Sequence, residues 1–116
     1  MREVEELAFK GDEKAKLAIK IFVHRVKKYI GSFTALLGRV DAIIFTAGIG
    51  EHSSPVRHLV CNGLEPMGVM IDREKNEKNE PIFSTDSSAV KLMVIPTDEE
   101  LEIAFQVEMV LNTLPN

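Results

Sequence analysis

Two short stretches hold residues whose types and spacing could do chemistry. The first is Phe45-Thr46-Ala47-Gly48-Ile49-Gly50-Glu51-His52-Ser53-Ser54-Pro55, a glycine-rich turn set directly after an apolar run. Glycine admits positive φ and lets another group approach the backbone. Ser53 or Ser54 can cap a following helix, and Pro55 suits its first turn. Unpaired backbone N–H groups in such a turn favour an anion such as phosphate. The second stretch is Pro96-Thr97-Asp98-Glu99-Glu100, again after an apolar segment. A carboxylate at a strand end can hold Mg²⁺, usually through water. A turn for phosphate or nucleoside, with an acid for Mg²⁺, points to a nucleotide.

Each stretch also has a plainer structural reading. The glycines can serve turn geometry alone. Thr97 and Glu100 form a capping box, and Asp98 and Glu99 fall in the first helical turn, where the helix dipole favours carboxylates. A dinucleotide fingerprint would need a third glycine where Ser53 stands, although Asp72 lies about 20 residues on, at the ribose-binding position. No phosphate-binding G-x-x-x-x-G-K-[ST] pattern occurs. His24, His52 and His58 lack metal-site spacing, so zinc is not expected. Cys61, the single cysteine, reads as a small buried apolar residue; it excludes an internal disulfide and fits a reducing compartment.

The elements that must position these stretches are legible from periodicity. Residues 2–10 read as a short helix ending at Gly11. Asp12 then caps a long helix over residues 13–37, closed by Gly38. Its apolar stripe runs through Ala18, Phe22, Val26, Tyr29, Phe33 and Leu36, widened by Leu17, Ile21, Ile30 and Leu37. That stripe is wide for a small sheet. Either a second copy of the chain covers the remainder, or the helix is well buried in its own domain. Residues 42–45 show no polar alternation, which suits a strand buried on both faces of a parallel sheet.

After the glycine turn, residues 56–62 form a short helix stopping at Gly63, with Glu51, Arg57 and His58 expected at the surface or in local pairs. A short strand over 69–71 ends at Asp72. Residues 73–80 read as a charged, exposed and mobile loop, and Ile82 and Phe83 as an edge strand. Residues 90–95 form a second buried strand, and residues 101–111 a closing helix. The order predicts an α/β fold with both functional turns at the C-terminal edge of the sheet, where open α/β sheets bind ligands.

The bulk numbers bound the rest. A chain of 116 residues supports one domain with a core. Its net charge of −4 and lack of a basic run argue against a nucleic-acid surface. No apolar run approaches the ~18 residues of a membrane span, and the charged start does not resemble a signal peptide.

The stretch Phe45-Thr46-Ala47-Gly48-Ile49-Gly50-Glu51 resembles the F-T-[GA]-G-I-G-E motif of acetate kinases. Arg2-Glu3-Val4-Glu5, Lys28-Tyr29-Ile30-Gly31 and Ile95-Pro96-Thr97-Asp98-Glu99-Glu100-Leu101 resemble other segments of that family, in its order. The resemblance covers essentially the whole chain. It implies part of a ribonuclease-H-like, actin-like ATPase domain, with a mixed sheet and packed helices. It also implies one C-terminal nucleotide-binding domain over residues 1–116, with the family's catalytic residues upstream and none here. By resemblance, Ala47, Gly48, Ile49, Gly50 and Glu51 form the ATP-binding loop against the adenosine. Arg2 is the nucleotide-contacting arginine, and Glu99 the Mg²⁺-associated glutamate.

Ala47 stands where the family often has glycine, and alanine fits there if the turn needs no positive φ. Asp98 adds a negative charge beside Glu99. The implied activity is phosphoryl transfer between ATP and acetate, giving ADP and acetyl phosphate, in a cytoplasmic homodimer with no nucleic-acid or membrane partner. The chain alone is expected to be inactive. Two alternatives stand beside this reading: a kinase for a related short-chain acid such as propionate or butyrate, and a non-catalytic dimerisation or interaction module.

Overall fold

The computed structural model describes residues 2–96 and 107–109. Helix α1 (Arg2–Phe9) leads through Gly11 into α2 (Glu13–Leu37). Asp12 caps α2 as its type predicts: Oδ1 accepts from the Ala15 N–H at 2.9 Å. Strand β1 (Ala42–Phe45) follows, then α3 (Ala47–His52) and α4 (Ser54–Cys61). A 3₁₀ turn (Glu65–Met67), a short α5 (Arg73–Glu77) and β2 (Lys91–Val94) complete the described order.

The two strands are parallel and adjacent, with Ala42 opposite Lys91 and Phe45 opposite Val94. Isolated bridges extend the sheet: Val69 with Val90 in parallel, Ile82 with Met93 and Ile71 with Ser84 antiparallel. On the flank of β2 away from β1, Phe83 N–H donates to Leu92 O and Val94 N–H to Pro81 O, each at 2.9 Å. The fold is therefore α/β with mixed pairing. The short strands expected at 69–71 and at Ile82–Phe83 are reduced to these single bridges.

Two apolar clusters form the core. One gathers Cys61, Val69, Phe83, Val90, Leu92 and Val94; the other gathers Val23, Val56 and Val60 between α2 and α4. Phe45 packs against both, and its ring meets that of Phe83 at 5.7 Å between centroids.

Three expectations are corrected. Residues 73–77 are helix α5, not loop, because Asp72 caps them through the Lys75 N–H at 3.1 Å and Asn76 is buried beneath them. Strand β1 is covered on one face only: Ile43 and Phe45 pack inward, while Ile44 is 53% exposed. The wide stripe on α2 is not well buried either. Ile19, Phe22, Val23, Val26 and Ile30 meet the core, but Leu17, Ile21, Tyr29, Phe33, Leu36 and Leu37 are each more than half exposed. A continuous apolar run tells how much surface wants cover, not which neighbour supplies it. Of the closing helix expected over 101–111, residues 107–109 are helical and the others lie outside the described residues.

Candidate functional site

The glycine turn is itself a short helix with a break in it. In α3, Gly48 has φ 22 and ψ −106, values that only glycine takes readily. Ala47 just before it has φ 58, so the turn does need a positive φ there, contrary to the expectation for alanine. Its Cβ makes that left-handed conformation costly, by about 1–2 kcal/mol. Gly50 folds back over the end of β1: a Cβ there would lie 3.5 Å from the Phe45 carbonyl carbon.

Several contacts hold this bent segment. Thr46 Oγ1 donates to Ile95 O at 2.8 Å, and Ile95 N–H donates to Phe45 O at 3.0 Å. Ile49 packs into the α2–α4 cluster. Ser53, of the two serines that could cap, is the one that does: Oγ accepts from the Val56 N–H at 3.2 Å, and Pro55 sits in the first turn of α4. The same hydroxyl donates to the Glu5 carboxylate, joining α1 to the turn.

Between α1 and α3 lies a cleft of about 760 Å³, lined by Glu5, Glu6, Phe9, Gly48, Ile49, His52, Ser53 and Pro55. That volume lies within the range of small-molecule sites. Of the residues singled out from the sequence, Gly48 and Ile49 face the cleft, while Gly50 and Glu51 turn their carbonyls the other way, onto Arg57. The Glu51 side chain is largely buried, 4.0 Å from His52 Nε2. Arg2 opens α1, and its side chain lies outside the described residues, as does all of Glu99. The described chain does bring the start of the second stretch to the first. Parallel pairing sets the ends of β1 and β2 side by side, so Ile95 and Pro96 emerge next to Thr46. Among the described residues no three metal-binding side chains cluster. Asp72, the candidate ribose ligand, is committed to capping α5.

Arg57 is the residue that sequence reasoning missed. Expected at the surface or in local pairs, it is fully buried at 0% exposure. The available signal was its company on α4: Val56, Val60 and Cys61 flank it at one, three and four positions along, all buried. Burial lowers the Arg57 pKa from its ordinary value, with a weaker opposing push from Cys61. Burial likewise pushes the Cys61 thiol up to about 12, against the pull of Arg57 and Lys27.

Residues 1–105 match the Acetokinase family. The acetate kinase of Streptomyces avermitilis is 49% identical over 116 residues, which span 97% of this chain and 29% of that protein. In fold, the chain superposes on the crystal structure of Porphyromonas gingivalis acetate kinase with a TM-score of 0.88 at 39% identity, over 95% of this chain and 28% of that one. A propionate kinase from Francisella tularensis gives a TM-score of 0.82 at 46% identity, over 89% and 27%. The chain thus spans somewhat under a third of the length of the relatives it matches.

Proposed function

Because this chain belongs to the acetokinase family, we propose that it is the C-terminal, nucleotide-binding part of an acetate kinase, which transfers a phosphoryl group between ATP and acetate. One observation carries the proposal. The glycine turn and the start of the acidic stretch leave adjacent parallel strands at the same sheet edge, beside a cleft of about 760 Å³. In this reading residues 1–116 are a single domain, and the residues that grip acetate and the transferring phosphoryl group lie upstream.

The roles are those that the family resemblance implies. Ala47, Gly48, Ile49, Gly50 and Glu51 form the loop against the adenosine; Gly48 and Ile49 are its cleft-lining members, and Gly48 leaves the backbone bare where the nucleoside approaches. Arg2, which opens α1, is the nucleotide-contacting arginine by its likeness to the family segment. Phosphoryl transfer depends mostly on positioning and charge neutralisation. Glu99 suits Mg²⁺, a hard cation that takes one or two carboxylates and fills its other positions with water and phosphate oxygens. Mg²⁺ when bound neutralises charge on the phosphates. Acetate, or another short-chain acid such as the propionate in the Francisella relative's name, is the acceptor.

The family resemblance supports a cytoplasmic protein; separately, no described helix is long and apolar enough to cross a membrane. The bare stripe of α2 supports assembly as a homodimer through that face. It equally favours a second reading, a non-catalytic module whose only task is that contact. Mixing separates the two. The chain alone should give no acetyl phosphate, and adding the upstream part of an acetate kinase should restore it, with loss again on Glu99→Ala. Turnover by the chain alone, or an upstream part fully active without it, would sink the proposal.

A further inference from the structure

Among the described residues the guanidinium of Arg57 touches no carboxylate, yet every one of its N–H groups has a partner. Nε donates to Asn76 Oδ1 at 2.7 Å. Nη1 donates to Gly50 O at 3.0 Å and Glu51 O at 3.1 Å. Nη2 donates to Asn76 O at 2.9 Å and to Asn79 Oδ1. That accounts for all five N–H donors of an arginine. The ring of Phe83 lies 5.5 Å from the guanidinium carbon. Asn76 is fixed in turn, its Nδ2 donating to Ser54 O at 2.9 Å.

A buried cation without an anionic partner is costly unless its hydrogen bonds are complete. The acceptors here come from two separate places. Gly50 O and Glu51 O belong to the last turn of α3, whose carbonyls carry the negative end of the helix dipole. Asn76 and Asn79 belong to α5 and the residues just after it. Lysine has a single nitrogen and lacks this planar fork, so it cannot span both. The segment being held needs holding: it contains the left-handed Ala47 and the broken Gly48, and α3 has no side-chain cap at its start.

We propose that Arg57 is a positioning residue for nucleotide binding, a buried clamp that pins the end of α3 to α5 so that Gly48 and Ile49 keep their place in the cleft wall. This rests on reading that cleft as the nucleotide site. Arg57 itself lines no part of the cleft and is sealed from solvent.

The test uses the intact chain and two readouts: amide exchange, and calorimetric titration with MgATP. Arg57→Lys keeps the charge and loses the fork. Asn79→Gly keeps the left-handed backbone at φ 53 and loses one acceptor. Arg57→Lys should speed exchange at residues 47–53 by about tenfold while the core at 90–94 changes by less than about twofold. It should weaken MgATP by about fivefold, and Asn79→Gly should do both to a smaller degree. Unchanged exchange at 47–53 overturns the inference, and so does equal loosening of turn and core. Should Arg57→Lys fail to fold, Asn79→Gly decides alone by the same criterion. Absence of MgATP binding by the wild type counts against the nucleotide reading itself, and exchange at 47–53 then still shows whether Arg57 holds the turn.

Discussion

The sheet core around Phe83 and the bent segment 47–53, which supplies the cleft wall through Gly48, Ile49, His52 and Ser53, meet at Phe45, and they are built by different physics. The core is chiefly apolar side chains in contact: Leu92 and Phe83 are fully buried, and Arg57 meets this cluster at its border, its guanidinium carbon 5.5 Å from the Phe83 ring. The wall is backbone held in conformations it would not choose, by a hydroxyl at each end and a buried guanidinium underneath. Packing energy is non-directional and sets stability. Hydrogen bonds to a bent backbone are directional and set where atoms point. A change in the first region should therefore cost folding, and a change in the second should cost geometry, hence binding.

The largest expected effect lies in the core. Leu92→Ala should remove about 2–5 kcal/mol of stability by denaturant unfolding, the range for emptying a buried leucine site. While the variant remains folded, its nucleotide affinity should stay at the wild-type level. A strong affinity loss in that folded variant would erase the distinction between the regions.

Cys61 gives the core a pH signature. Its folded pKa is raised to about 12, whereas the unfolded thiol titrates at about 8.5–9. Above that unfolded value the unfolded chain releases a proton that the native state retains. The thiol's contribution is complete below about pH 9 and falls by about 1.4 kcal/mol per pH unit from there toward about 12. Urea unfolding at a series of alkaline pH values, compared with Cys61→Ala, isolates this slope. Equal slopes in the two proteins would mean that the thiol is not held neutral by burial.

Gly48→Val sharpens the comparison from the other side. A Cβ at residue 48 meets nothing within 4 Å, so packing is spared. The backbone at φ 22 and ψ −106 remains unfavourable to valine, at about 1–3 kcal/mol. Stability should fall by no more than that, and nucleotide binding should be lost. Ala47→Gly is the smallest change. Releasing the left-handed alanine should stabilise the chain by roughly 0.5 kcal/mol, the strain relief being partly offset by the entropy glycine adds to the unfolded state. A destabilised Ala47→Gly would show that residue 47 does not carry the strain.

Much of this was legible in the sequence, and what was not has physical reasons. Asp12, Gly38, Ser53 and Pro55 act locally, through backbone groups within four residues, and each does what its type dictates. The two strands and their glycine turn were readable for the same reason. Arg57 was not, because its partners lie 6 to 22 residues away and only the folded chain brings them together. The charged run after Asp72 was misread as loop because polar composition outweighed the capping aspartate that starts α5. The α2 stripe announced apolar surface correctly, but its width could not say which half the chain itself would cover. Arg2 and the cleft-facing Gly48 and Ile49 took their proposed roles from family resemblance; spacing alone offered no more than a turn that could favour an anion.

The most direct measurement is calorimetric titration of MgATP into the purified chain and into Gly48→Val, with circular dichroism confirming that both are folded. Saturable binding by the wild type that disappears in the variant is the predicted result and places the nucleotide at the α3 wall. Equal binding by both, or none by the folded wild type, would contradict the claim that this wall is a nucleotide site in the chain as it stands.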